Sequence, residues 1–119
     1  MHFMTRLSLA VGCAVVATLP LAAAEVTLKG EVVDQACYLK DKTNKGADHQ
    51  DCGTSCVKKG QPAALVTADG DVYTIAGTYA ENKNAKLVDF VSKQVEAKGE
   101  VSEKDGKKVL TVTALTAAK

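Results

Sequence analysis

The stretch from Cys37 to Cys56 constrains this chain more than any other part of the sequence. It contains three of the four cysteines, and its His49 is the only histidine outside the first two residues. An odd number of cysteines cannot pair completely within one chain, so this pattern indicates metal ligation, a leftover thiol or an intermolecular bond. Cysteine and histidine together supply a complete tetrahedral Cys3His set for Zn2+. Thiolates also select Cu+.

The spacing places several of these ligands on one face of a predicted helix. Asp48 is the expected N-cap of a helix that begins at His49. On that helix His49, Cys52 and Cys56 fall at positions i, i+3 and i+7, which share a face. A polar, flexible connection would let Cys37 approach as the fourth ligand. We therefore predict a single site for Zn2+ or Cu+ that consists of Cys37, His49, Cys52 and Cys56.

Two alternatives to metal ligation remain open. Cys52 and Cys56 can form a disulfide, or Cys37 can pair with either of them, which an oxidising compartment favours. Such a bridge contributes about 2–4 kcal/mol by closing the loop. In the other alternative, Cys52 and Cys56 are a redox-active thiol pair, although their Cys-x-x-x-Cys spacing is not the usual redox spacing. The sequence predicts no catalytic group of the hydrolase, phosphate-loop or paired-carboxylate kind.

The first 24 residues have the layout of a secretory signal peptide. Arg6 supplies the positive charge, Leu7 to Leu21 is an apolar run, and three alanines precede Glu25, the expected first mature residue. The apolar run is shorter than the roughly 20 residues that span a bilayer. Cys13 lies inside this run and is interpreted as one of its apolar residues. The sequence therefore predicts a periplasmic or secreted protein with one mature domain, residues 25–119.

Composition excludes one class of partner for this domain. The chain has 15 Lys plus Arg and 14 Asp plus Glu, and Arg6 is its only arginine, so removal of residues 1–24 leaves a neutral chain. Nucleic-acid binding relies on a basic surface, commonly with arginines and stacking aromatic residues. We therefore predict a metal ion as the partner, with another envelope protein under the disulfide alternative. Neither nucleic acid nor, after signal cleavage, a membrane is expected.

Alternating apolar residues predict a mainly β domain. Asp69-Gly70 and the segment around Asp105-Gly106 are tight-turn signals for two hairpins. Residues 86–91 suit one or two helical turns or a short strand. The predicted strands are 26–33, with Gly30 as a bulge or close-packing point, 63–68, 71–76, 95–101 and 109–115.

This order of elements resembles an OB-type fold, a five-stranded β-barrel with one or two short helices and a Cys/His-bearing insertion between strands 1 and 2. The resemblance covers most of residues 26–116, and it implies that the insertion lies at a usual binding edge. A second pattern is similar to small exported bacterial proteins of unassigned function, which implies a shared scaffold but no activity. That pattern consists of Cys37, Tyr38, Leu39, His49, Cys52, Cys56, Gly60 and Pro62.

Overall fold

The computed structural model describes residues 25–118 of the chain. The predicted signal peptide and Cys13 lie outside the described residues. Within residues 25–118, no helix is both long enough and apolar enough to cross a bilayer.

Five strands dominate the described part of the chain and close into a barrel. Their order around the barrel is β1-β2-β3-β5-β4, and β4 also pairs with β1. The β3–β5 pair is parallel, and the other neighbouring strands are antiparallel. The predicted mainly β class with five strands is therefore confirmed. The strands are β1 (Glu25–Asp34), β2 (Ala63–Thr67), β3 (Val72–Ala76), β4 (Gln94–Lys104) and β5 (Lys107–Ala117).

Three short helices lie between the strands, and two of them correct the sequence-based expectations. Helix α1 was not predicted, and it follows β1 without a break. Helix α2 begins one residue later than expected, because Asp48 belongs to a preceding 3-10 turn and does not cap it. The helices are α1 (Gln35–Lys40), α2 (Gln50–Lys58) and α3 (Glu81–Asn84), with 3-10 turns at Ala47–His49, Thr78–Ala80 and Val88–Phe90. Asn82, Lys83 and Asn84 of α3 have positive φ angles, so this segment is not a regular right-handed helix.

Two glycines allow the barrel to close tightly. A Cβ atom on Gly30 would overlap the carbonyl oxygen of Val66, and one on Gly99 would overlap that of Thr111. Gly99 also lies at the register shift between β4 and β5, where a bulge bends the strand. Gly30 is therefore a close-packing point, as predicted.

The apolar residues separate into two clusters that place α1 and α2. The larger cluster fills the barrel interior and includes Val32 of β1 and Val57 of α2. The smaller cluster lies on the other face of β1 and includes Val33 of β1 and Tyr38 of α1. Each fully buried valine or leucine side chain stabilises the fold by about 1.5–3 kcal/mol. The two helices are thus fixed near the C-terminal end of β1, one on each face of this strand.

Candidate metal centre

Asp34 is the residue around which the candidate site is built. Successive side chains of a strand point to opposite faces, so Asp34 shares the face of Val32, which packs with α2. The side chain of Asp34 is almost fully buried, with 1% of the residue exposed. Its Oδ1 atom accepts a hydrogen bond of 3.2 Å from the backbone N–H of Ala36. The carboxylate therefore ends β1 and also caps the N-terminus of α1.

Two thiols meet this carboxylate, one from each helix. Cys37 belongs to α1 and Cys56 to the C-terminal half of α2. One carboxylate oxygen of Asp34 and the two sulfur atoms all lie within 4.8 Å of one another. Both thiols are free and partly exposed. The structure thus brings three potential metal donors together at the C-terminal end of β1.

The buried carboxylate changes the acidity of both thiols. The hydrogen bond with Asp34, together with burial and the repulsion from the neighbouring acidic groups, raises the pKa of Cys37 to about 11. A separate hydrogen bond with Asp34, together with burial and the charge of that carboxylate, raises the pKa of Cys56, and the nearby Lys59 opposes this effect only partly. Both thiols are therefore protonated near neutral pH when the site is free. A bound cation would remove the repulsion that favours the protonated state.

The structure does not bring His49 or Cys52 to these donors. Cys52 is exposed. The His49 imidazole lies beside Gly53, and its Nε2 atom is buried without a hydrogen-bond partner. Of the four ligands predicted from the sequence, two are therefore together and two are apart.

Helix geometry explains why the shared face does not become a shared site. Residues at i and i+7 are separated by about 10 Å along a helix axis, at roughly 1.5 Å per residue. Ligands of one Zn2+ ion lie only about 4 Å apart, because each bond is about 2.0–2.3 Å long. His49 and Cys56 lie seven positions apart, and His49 belongs to the 3-10 turn before α2, which rises faster still. The predicted shared face therefore leaves His49 and Cys56 too far apart along the helix axis to bind one ion.

Asp34 is the site residue that the sequence interpretation missed. The predicted first strand ends at residue 33, one residue before it. The signal that identifies it is an Asp directly before a run of residues that can form a helix, Gln35 to Lys40, which is a typical N-cap pattern. Cys37 then follows three residues after the cap, so the carboxylate and the thiol lie within one helical turn.

Two side-chain hydrogen bonds hold the connection between α1 and α2 against the barrel. The Glu31 carboxylate of β1 accepts a 2.8 Å hydrogen bond from the backbone N–H of Gly46. The side-chain amide of Asn44 donates a 2.9 Å hydrogen bond to the carbonyl oxygen of Cys37. This connection is therefore attached at both its strand side and its helix side, although most of its residues are exposed.

Comparisons with protein-family models, with curated proteins and with solved structures find no match to this chain. The functional interpretation accordingly depends on the residues of the chain itself.

Proposed function

We propose that this protein is an exported metal-binding protein that holds one Zn2+ ion through Asp34, Cys37 and Cys56. The observation that carries the proposal is the convergence of one carboxylate and two thiols within 4.8 Å. Zinc accepts thiolate sulfur at about 2.3 Å and carboxylate oxygen at about 2.0–2.2 Å. Small side-chain movements would suffice to bring the three donors to these distances.

The chemistry of the donors favours zinc over copper. Cu+ selects soft sulfur ligands, whereas a carboxylate oxygen is a hard ligand. Zn2+ is a borderline ion that accepts both. Two thiolates and one carboxylate would carry three negative charges against the two positive charges of zinc. The buried Asp34 thus distinguishes between the two metals that the cysteines alone left open.

Three protein ligands leave one position of a tetrahedral zinc site open. Closed four-ligand sites are typical of structural zinc, and open sites exchange ligands or activate water. Cys52 lies one helical turn before Cys56 and is exposed, so it is available to a partner or to an arriving ion. A carrier or sensor, which must take up and release its metal, fits this arrangement, because an open position allows the ion to exchange ligands.

The scaffold is consistent with an OB-type barrel, which we include in the proposal. The strand order β1-β2-β3-β5-β4 and the parallel β3–β5 pair support it. In that architecture the connection between strands 1 and 2 is a usual binding edge. Here this connection carries both site cysteines.

Zinc stoichiometry tests the ligand assignment. Native mass spectrometry of protein recovered from the periplasm of an expression host should show one zinc per chain. Cys37→Ser and Cys56→Ser should abolish zinc binding, because each removes a thiolate. Cys52→Ser and His49→Ala are the matched controls and should retain it. Loss of zinc in all four variants would instead support the Cys3His set, and absence of zinc from the reduced wild-type protein at saturating zinc would contradict the proposal.

The second candidate function is a structural module without metal, stabilised by a disulfide between Cys37 and Cys56. These two thiols are the pair that the structure brings together. The bridge would join α1 to α2 and stabilise the domain by about 2–4 kcal/mol. Disulfide and zinc need the same two sulfur atoms and exclude each other. A mass lower by about 2 Da, with a Cys37–Cys56 peptide and an alkylated Cys52, would establish the disulfide in the exported protein.

A further inference from the structure

The segment before the third 3-10 turn has an unusual backbone. Asn82, Lys83 and Asn84 have φ angles of 54°, 56° and 59°. These are left-handed helical values, which cost roughly 1–2 kcal/mol for an ordinary L-residue. Consecutive left-handed residues persist only where other contacts compensate for their cost. The surroundings of this segment should therefore contain the contacts that hold it.

Asn84 provides those contacts. It is 4% exposed, and its side-chain amide donates two hydrogen bonds, of 3.0 Å to the carbonyl oxygen of Val57 and of 2.8 Å to that of Gln61. Val57 directly follows Cys56 near the end of α2, and its carbonyl oxygen also accepts a 3.0 Å hydrogen bond from the backbone N–H of Gly60. The Asn84 amide therefore fixes the end of the helix that carries Cys56.

The same amide is connected to the helix that carries Cys37. Gln61 precedes Pro62, and the carbonyl oxygen of Pro62 accepts a 3.0 Å hydrogen bond from the backbone N–H of Gln35, the first residue of α1. The backbone N–H of Gln61 also bonds to the carbonyl oxygen of Cys56, at 3.3 Å. One short path of hydrogen bonds thus runs from α1 through residues 61 and 62 to Asn84 and α2.

We propose that Asn84 is a positioning residue that sets the distance between Cys37 and Cys56. It touches neither thiol and acts through the ends of the two helices. The expected consequence for zinc affinity rests on the proposed function, whereas the distance between the two thiols does not.

The test compares Asn84→Gly with Asn82→Gly. Glycine adopts left-handed φ angles without strain, so both variants relieve the same backbone cost. They differ in the hydrogen bonds, because Asn82 is exposed and Asn84 binds two carbonyl groups. The net free energy of two hydrogen bonds corresponds to a change on the order of tenfold in an equilibrium constant. Zinc affinity measured by competition with a chromophoric chelator should fall about tenfold for Asn84→Gly and stay unchanged for Asn82→Gly.

A second, metal-free readout measures the thiol geometry directly. In a Cys52→Ser background, the reduced protein is equilibrated with glutathione disulfide. Cys37 and Cys56 lose two electrons and two protons to form their disulfide, and one glutathione disulfide becomes two glutathione thiols. The equilibrium constant gives the effective concentration of one thiol at the other, which should also fall about tenfold for Asn84→Gly only.

The two readouts separate the two proposals. If neither wild-type nor variant protein binds zinc but the disulfide equilibrium still shifts, the positioning role stands and the zinc proposal fails. If Asn84→Gly and Asn82→Gly behave alike in the disulfide equilibrium, the positioning role is contradicted. A Lys83→Gly background, which relieves further left-handed strain, keeps both variants folded for the comparison.

Discussion

The barrel and the insertion between its first two strands are held by different kinds of contact. The barrel has long hydrogen-bonded ladders, such as the pairing of β4 with β5 from Val95 to Lys104 with its one register shift at Gly99, around an apolar interior. The insertion has two short helices, each with few buried apolar residues, and depends on single polar side chains such as Asp34 and Asn84. Substitutions in the barrel should therefore act on global stability, whereas substitutions at these polar residues should act on the site.

The largest expected effect is on the barrel. Gly99→Ala should lower the free energy of unfolding by about 3 kcal/mol, because the new Cβ would overlap the backbone carbonyl of Thr111. Gly106→Ala, in the turn of the same hairpin, meets no neighbouring atoms and has only its positive φ of 74° to oppose it, so about 1 kcal/mol is expected. Denaturant titration measures both. Equal losses would contradict the close contact, and a changed zinc affinity of the folded Gly99→Ala protein would contradict the separation of barrel and site.

The next largest expected effect is the dependence of zinc affinity on pH. Zinc affinity should increase about hundredfold for each pH unit between about pH 6 and pH 8. The pKa of Cys37 is raised to about 11 and that of Cys56 is raised in the same direction, so each thiol is protonated before it binds zinc and releases one proton. Calorimetry in buffers of different ionisation enthalpy counts these protons. Release of no protons would exclude the thiols as ligands.

Removal of the carboxylate charge should make Cys37 more reactive. Asp34→Asn keeps an oxygen that can cap α1 but lowers the pKa of Cys37 from about 11 towards its ordinary value of 9.0. The thiolate fraction at pH 8 would rise up to about hundredfold, and the alkylation rate somewhat less, since a less basic thiolate is a weaker nucleophile. Mass spectrometry of iodoacetamide-treated, zinc-free protein measures the rate.

Asp41→Asn is the matched control for this prediction. Asp41 is exposed and directly follows α1, and its carboxylate accepts hydrogen bonds from Thr43. Its backbone N–H donates to the carbonyl oxygen of Cys37, and the substitution leaves that backbone bond in place. It should leave the reactivity of Cys37 unchanged. If Asp34→Asn and Asp41→Asn gave the same rate, the hydrogen bond between Asp34 and Cys37 would not be the cause of the raised pKa.

The smallest effect concerns the left-handed segment. Lys83→Gly should raise the free energy of unfolding by about 1 kcal/mol, because Lys83 has a φ of 56° and an exposed side chain. Lys58→Gly, at an exposed position of α2, should lower it by about 1 kcal/mol. Thermal unfolding of the zinc-free proteins distinguishes the two signs. A loss of stability in both would show that the left-handed conformation is not strained.

Local sequence signals were sufficient for most of the barrel. Alternation in Val26–Val33 and the Asp69-Gly70 and Asp105-Gly106 turns depend on neighbours close in sequence, and all three correspond to observed strands or turns. Gly60, with a φ of 90°, lies two residues after the end of α2, where a glycine with a left-handed backbone typically ends a helix. These features are determined by backbone preferences that each residue carries with it.

The site could be predicted only in part. The three cysteines indicated the insertion in which the candidate site lies, and Cys37 and Cys56 do lie together. The periodicity of α2 indicated which residues share a face, but the rise of about 1.5 Å per residue separates His49 from Cys56 along the axis. Periodicity also does not show what packs against the helix. The N-cap pattern places Asp34 close to Cys37, but the approach of Cys56 to this carboxylate and the hydrogen bonds of Asn84 join distant segments. A pattern within one segment does not reveal such contacts.

X-ray absorption at the zinc edge of the zinc-loaded, reduced protein tests the proposed centre most directly. The Asp34, Cys37 and Cys56 assignment predicts two sulfur atoms at about 2.3 Å and oxygen ligands at about 2.0–2.2 Å. Three sulfur atoms and one imidazole nitrogen would contradict it and would restore the set of Cys37, His49, Cys52 and Cys56.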